Sequence, residues 1–253
     1  MKLTLKKGLG QHFLTDENMC KKIVAQPDYK PGMNLLEVGP GGGAITKYLL
    51  ERPGINYKAI EIDDEKVAYL PTILPAIADK LIHVDFLKAE LPFGTEKFSI
   101  IGNFPYNISS QIMFRVYDWK AYVEEVVGMF QKEVADRIAA GPNSKVYGIL
   151  SVLMQAFYKV EYLFDVPPGC FNPPPKVMSG VIRLTSLNNP HEIENPERLK
   201  KIVKAAFDQR RKTLRNALKG FWSNELMQDP IFNKRAEQLT VEDFVGLYKM
   251  NDK

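Results

Sequence analysis

Cysteine and histidine are scarce in this chain of 253 residues, which has two cysteines, Cys20 and Cys170, and three histidines, His12, His83 and His191. They are scattered without metal-ligand spacing, so neither a metal site nor a Cys–His nucleophile is expected. Two lone thiols suit a reducing compartment. Long apolar runs are missing too. No stretch approaches the ~20 residues that span a bilayer, and the amino terminus lacks the apolar core of a signal peptide. A soluble cytoplasmic protein with no membrane partner is therefore expected. Charge of one sign is not in large excess either, since the net charge is only +4. A partner must be read from where the charges sit rather than from their sum. Internal repeats and low-complexity tracts are also lacking. The hydrophobic content of 45% suffices for a real core in one large domain plus a small one.

The most informative residues present are Asn103-Phe104-Pro105-Tyr106. They follow a short apolar run over 98–102 that reads as a buried strand, which places them at a strand end. An amide, two aromatic rings and a proline there suit the holding of a flat, nitrogen-bearing ring by its exocyclic amine. The Asn103 amide oxygen and a neighbouring backbone carbonyl can accept both hydrogens of an –NH2 group. Pro105 fixes the backbone, and Tyr106 offers a face for stacking. The plain alternative is a turn after a strand, because Asn and Pro are common turn residues.

A second anchor lies upstream. A strand over 34–38 runs into Gly39-Pro-Gly-Gly-Gly-Ala44, and residues 44–50 have helical apolar spacing. Strand, glycine loop and helix make the first turn of a nucleotide-binding sheet. A second strand over 57–62 ends near Glu61, whose carboxylate can bond both hydroxyls of a ribose. A third over 80–84 delivers Asp85, positioned for an adenine amine. Gly39, Gly41 and Ala44 also satisfy the dinucleotide pattern, which makes NAD a rival. Against it, Pro40 removes an N–H that a diphosphate would use, and Glu37 sets a carboxylate close by. A cationic, phosphate-free ligand such as S-adenosylmethionine fits that acidic approach better. Each acid alone could be a solvated loop charge; four successive strand ends that finish on polar groups converge on one sheet edge.

The order of elements predicts an α/β fold with a mostly parallel sheet over residues 15–185. A basic, mobile arm over 1–14 precedes it. A first helix with Met19, Ile23 and Val24 is capped by Asp16 or Thr15. Residues 147–162 read as a long apolar helix, and 180–184 as a late strand closing the sheet antiparallel. The polar, proline-bearing stretch 185–196 is a linker. Beyond it, 186–253 forms a small all-helical domain. Its first helix is expected to run through 199–219, with Leu199, Ile202, Val203 and Leu214 on one face. Lys200, Lys201, Lys204, Arg211, Lys212, Arg215 and Lys219 line the other. That is either a solvated face or an electrostatic footprint for phosphates.

Several ordered segments carry a family resemblance: Gly10-Gln-His-Phe-Leu14, Leu36-Glu-Val-Gly-Pro-Gly-Gly-Gly43, Glu61-Ile-Asp63, Asp85-Phe86 and Gly102-Asn-Phe-Pro-Tyr-Asn-Ile108. Gln131-Lys-Glu-Val-Ala-Asp-Arg137, Gly141-Pro-Asn-Ser-Lys145, Phe171-Asn-Pro-Pro-Pro-Lys-Val177 and Phe207-Asp-Gln-Arg-Arg-Lys-Thr-Leu-Arg-Asn216 continue it. The chain resembles the KsgA family of small-subunit rRNA adenine N6,N6-dimethyltransferases from about Gly8 to about Asn216. It departs at Met178, where the family has an acid, and at His12, where Asn is frequent.

The resemblance implies a Rossmann-like methyltransferase sheet and S-adenosylmethionine held by Gly39, Gly41, Glu61, Asp85 and Asn103, with the backbone around His12 and Leu14 closing over it. It implies a target adenine handled by Asn103, Phe104, Pro105 and Tyr106, with Phe171 sandwiching the base opposite Tyr106. The expected substrate is two adjacent adenosines in the 3′-terminal hairpin loop of 16S rRNA within the assembling 30S subunit. The expected enzyme is a monomer that grips rRNA phosphates through Lys6, Lys7, Lys204, Arg211, Lys212 and Arg215. The alternatives are a large-subunit rRNA dimethyltransferase of the macrolide-resistance type, a ribosome assembly factor, and a methylase of a protein glutamine amide.

Overall fold

A computed structural model of the chain describes residues 12–250. Of these, the residues up to Ala135 together with Glu161–Thr185 form one compact unit, and Asp136–Val160 with the residues from Ser186 onward form a second. One division between the units falls between Thr185 and Ser186. The segment around 136–160, read as part of the sheet domain, clusters with the carboxyl-terminal helices instead.

The first unit begins with the short strand β1 (Phe13–Leu14) and helix α1 (Glu17–Val24). Asp16 caps α1 by accepting from Met19 N at 2.8 Å, which satisfies one of the orphan donors of the first turn. Strand β2 (Asn34–Val38), helix α2 (Thr46–Leu50), β3 (Asn56–Glu61), α3 (Asp64–Ile73), β4 (Leu81–His83), β5 (Phe98–Asn103), α4 (Ser109–Asp118), β6 (Val123–Gln131) and α5 (Lys132–Ala139) alternate as expected. After helix α6 (Ile149–Gln155) come β7 (Tyr158–Val166), β8 (Phe171–Asn172) and β9 (Ser179–Ser186).

The seven-stranded sheet has the order β4-β3-β2-β5-β6-β9-β7. The pairs β3–β4, β2–β3, β2–β5 and β5–β6 are parallel, and β9 lies antiparallel to β6. The order reverses beside β2, so the β2 and β5 ends face a topological switch point, where open α/β sheets bind ligands. Strands buried along their whole length explain why β2 and β5 read as nearly continuous apolar runs.

The helix expected over 147–162 is the main departure. Helix α6 is short and β7 follows it. Tyr158, Val160 and Tyr162 alternate with Lys159 and Glu161, a strand pattern that the preceding apolar run conceals. Strand β7, rather than the expected late strand β9, forms that edge of the sheet.

The second unit holds α6, α7 (Pro196–Asp208), α8 (Leu214–Ala217) and α9 (Val241–Lys249). Asn195 caps α7 by accepting from Arg198 N, with Pro196 in the first turn. Thr240 and Asp243 exchange side-chain bonds at the start of α9. Leu199, Ile202, Val203 and Ala206 are buried, and the Phe207 ring stacks 5.8 Å from Phe244. The single helix expected over 199–219 is two helices. The chain leaves helical geometry at Gln209, and Leu214 N donates to the Lys234 carbonyl at 2.8 Å, a long-range bond with no local sequence signal. Among the described residues no helix is long and apolar enough to cross a membrane.

Candidate functional site

The carboxyl ends of the parallel strands surround a cavity of about 230 Å³. His12, Leu14, Gly39, Gly41, Glu61, Asp85, Asn103, Phe104, Pro105 and Tyr106, all singled out from the sequence, line it.

The glycine loop forms one wall. Gly39, Gly41 and Gly43 have φ of +71°, +58° and +81°, which side chains with a Cβ rarely adopt. A Cβ on Gly43 would also lie 3.0 Å from Leu74 Cδ1, so the loop packs directly on the end of α3. Glu61 ties the loop to β3. Its Oε2 accepts from Gly41 N at 3.2 Å, and its Oε1 accepts from Ile62 N and Asp63 N at 3.0 Å each. Asp85 is organised in the same way, accepting from Leu87 N at 2.9 Å.

Glu37 differs from its expected part as an open charge beside the ligand. It is 1% exposed, accepts from Thr46 Oγ1 at 3.0 Å and from the Tyr57 hydroxyl, and so pins the start of α2 to β2 and β3. Burial pushes its carboxyl up to about 7, while the two hydroxyls pull it down and Glu61 adds to the rise. Neither Thr46 nor Tyr57 was marked by the sequence. The tyrosine lies opposite Leu35 in the β2–β3 register, two residues short of the Glu37 partner Ala59, a relation that only strand pairing discloses.

Asn103-Phe104-Pro105-Tyr106 sits at the end of β5. Phe104 N donates to Met129 O at 3.2 Å and carries the β5–β6 ladder one step further. Its ring is 1% exposed and packs 5.0 Å from Phe130 over Gly102 and Gly128, which face each other in register. Phe104 is thus the motif's anchor in the sheet, flanked by the half-buried Asn103 and Tyr106. A glycine inside a strand marks a close approach of another group, and Gly128 was the available signal for this packing. The Tyr106 hydroxyl bonds the Oγ of fully buried Ser179 at 2.6 Å, and burial raises its pKa. The His12 ring stands 5.8 Å from that of Tyr106, and His12 Nδ1 donates to the Pro173 carbonyl at 2.8 Å.

Phe171 requires correction. It is 4% exposed, pairs with Leu14 across the β1–β8 ladder and belongs to the core cluster with Cys20, Ile23 and Leu14 rather than to the cavity lining. Its ring is taken up by packing beneath β1. The basic positions lie elsewhere. Lys6 and Lys7 fall outside the described residues. In the second unit Lys204 is exposed on α7, while Arg211 and Lys212 are exposed in the turn before α8. Arg215 donates to Gln228 Oε1 at 3.3 Å and Asn233 Oδ1 at 3.0 Å, so its guanidinium braces its own unit. Met178, a departure from the family pattern, contributes its carbonyl to Lys132 N.

A sequence profile of the family described as Ribosomal RNA adenine dimethylase matches residues 2–253. The chain is 51% identical over 255 residues to Ribosomal RNA small subunit methyltransferase A of Cytophaga hutchinsonii, covering 98% of each. It is 52% identical over 249 residues to the protein of that name from Phocaeicola vulgatus, covering 96% of this chain and 88% of the relative. The crystal structure of a dimethyladenosine transferase from Plasmodium falciparum aligns with a TM-score of 0.78 at 25% identity, over 93% of this chain and 96% of that one.

Proposed function

The chain belongs to the ribosomal RNA adenine dimethylase family, and from that premise we propose that it methylates the N6 amines of two adjacent adenosines in the 3′-terminal hairpin loop of small-subunit rRNA. One observation carries the reading: Asn103-Phe104-Pro105-Tyr106 opens onto the same cavity as the glycine loop, Glu61 and Asp85. An amine-holding group and a cradle for a nucleoside thereby share one cavity. The names of the curated relatives favour the small subunit.

The family is of the class that uses S-adenosylmethionine, which supplies an electrophilic sulfonium methyl when bound. The residues present fit that group. Glu61 and Asp85 are acceptors for ribose hydroxyls and an adenine amine, whereas Pro40 lacks an N–H and Glu61 already takes that of Gly41, which leaves the loop poorly furnished for a diphosphate. Gly39, Gly41, Glu61 and Asp85 would hold it, with His12 and Leu14 over it.

Adenine N6 is a weak nucleophile because its lone pair is delocalised into the ring. In this reading Asn103 Oδ1 and the Phe104 carbonyl accept its hydrogens and favour the pyramidal form that attacks, since the Pro105 carbonyl already accepts from Ile108 N at 3.2 Å and Ser109 Oγ at 3.1 Å. The same fixed dipoles stabilise positive charge as it develops on nitrogen. Tyr106 supplies a face on which the base is oriented. No strong base is needed, since a methylated anilinium-like nitrogen loses its proton readily to water. A paired adenine cannot reach the cavity, so the base is unpaired or flipped. Exposed Arg211 and Lys212, with Lys204, Lys6 and Lys7, are proposed to hold rRNA phosphates of the assembling subunit. A monomer working in the cytoplasm belongs to the same proposal.

The test is incubation with labelled cofactor and unmethylated small or large subunits, followed by mapping of the modified base. Label on two neighbouring adenosines of the small-subunit hairpin supports the reading. Label on large-subunit RNA favours the macrolide-resistance type, and binding without label favours an assembly factor.

A further inference from the structure

We propose that Ser179 is a positioning residue for Tyr106, and that the segment from Phe171 to Ser179 serves the site by bracing that ring. The inference rests on the reading of Tyr106 as the platform for the target base.

Tyr106 begins a single 3-10 turn, Tyr106–Ile108, and its ring is half-buried at the cavity wall. Its hydroxyl bond to Ser179 Oγ, at 2.6 Å, spans 73 positions. Ser179 is fully buried at the first position of β9, in register with Gln131 at the end of β6. That register sets its Oγ beside the carboxyl edge of the sheet on rigid backbone. The Tyr106 ring also stands 5.8 Å from that of His12, whose Nδ1 donates to the Pro173 carbonyl. Both contacts lead to the Phe171–Ser179 segment, one through Pro173 and one directly. Three prolines in a row make that segment stiff, so it can act as a brace with little entropic cost. The resemblance had called on this segment for Phe171, which the core has claimed; the two tethers give it a different role.

A hydroxyl that orients a ring acts on the alignment of the base and not on the cofactor. Ser179→Ala should therefore lower kcat by roughly three- to tenfold, the size of one neutral hydrogen bond. Cofactor affinity by calorimetry should stay near that of wild type, and the melting temperature should fall by no more than a few degrees, roughly the cost of one hydrogen bond. Tyr106→Phe should show the same loss, and the double variant should be no worse than either single one, because both remove one bond. Hairpin RNA with 2-aminopurine at the target position gives a readout independent of turnover: its quenching on binding should weaken equally in both variants. Wild-type turnover in Ser179→Ala, additive losses in the double variant, or a matching loss of cofactor affinity would each overturn the role of Ser179. The platform reading is tested separately by Tyr106→Ala, which should lose far more activity than Tyr106→Phe; full activity there would overturn the platform and this inference together.

Discussion

The Phe104 ring fills the space that a side chain at Gly128 would need: a Cβ there would fall 2.4 Å from Phe104 Cε2 and 2.6 Å from Phe130 Cε2. Asn103 and Tyr106 are consequently the flanks of a buried anchor. Gly128→Ala should destabilise the protein by about 1–3 kcal/mol through overpacking. It should also cost turnover, because a displaced Phe104 shifts Asn103 with it. Urea melts and methyl transfer, measured together, check this; unchanged values in both would remove Phe104 as the anchor.

Glu61 bonds Gly41 N and two backbone amides of its own strand end. Glu61→Ala should weaken S-adenosylmethionine binding at least about tenfold, for loss of charge-assisted bonds. Calorimetry reads this directly, and unchanged affinity would remove Glu61 from the cofactor site.

Buried Glu37 gives the fold a pH signature. Its carboxyl lies at about 7 in the native state against an ordinary 4.5, so between those values the native chain holds a proton that the unfolded chain has released. Its contribution to stability is complete below 4.5 and declines as pH rises toward 7, by about 3 kcal/mol at most. Glu37→Gln is neutral throughout and should flatten that decline. Urea midpoints at about pH 5 and about pH 8 should differ less in the variant than in wild type. An equal difference in both would place the titration elsewhere.

Arg211 and Lys212 are exposed in the turn between α7 and α8, whereas Arg215 bonds Gln228 and Asn233. Arg211→Ala/Lys212→Ala should lower subunit affinity and reduce the log–log salt slope by roughly one for each phosphate no longer neutralised. Adding Arg215→Ala should also lower the melting temperature. An unchanged slope in the double variant would leave these residues as a solvated face.

The sequence made β2, β3, β5 and the strand-end acids legible because each is local: a short apolar run ends on a polar group, and a glycine loop follows the first. Where a feature depends on pairing, the sequence was mute. Tyr57 meets Glu37 only through the β2–β3 register, and Ser179 meets Tyr106 only once β9 lies beside β6. Phe171 was misread because a stiff proline loop says that an aromatic is fixed, not which way it faces. The helix through 199–219 failed because its break is made by the distant Lys234 carbonyl rather than by glycine or proline. Residues 158–162 were read as helix because an apolar run next to alternating aromatics fits both periods.

The central claim is that the Asn103 amide acts on the target amine, and turnover set against cofactor affinity in Asn103→Ala tests it most directly. Removing one preorganised dipole at the reacting atom should lower kcat by about a hundredfold or more. Because that dipole is needed mainly in the transition state, S-adenosylmethionine affinity measured by calorimetry should fall far less than the rate does. Wild-type turnover, or a loss of cofactor affinity as large as the loss of rate, would contradict the account.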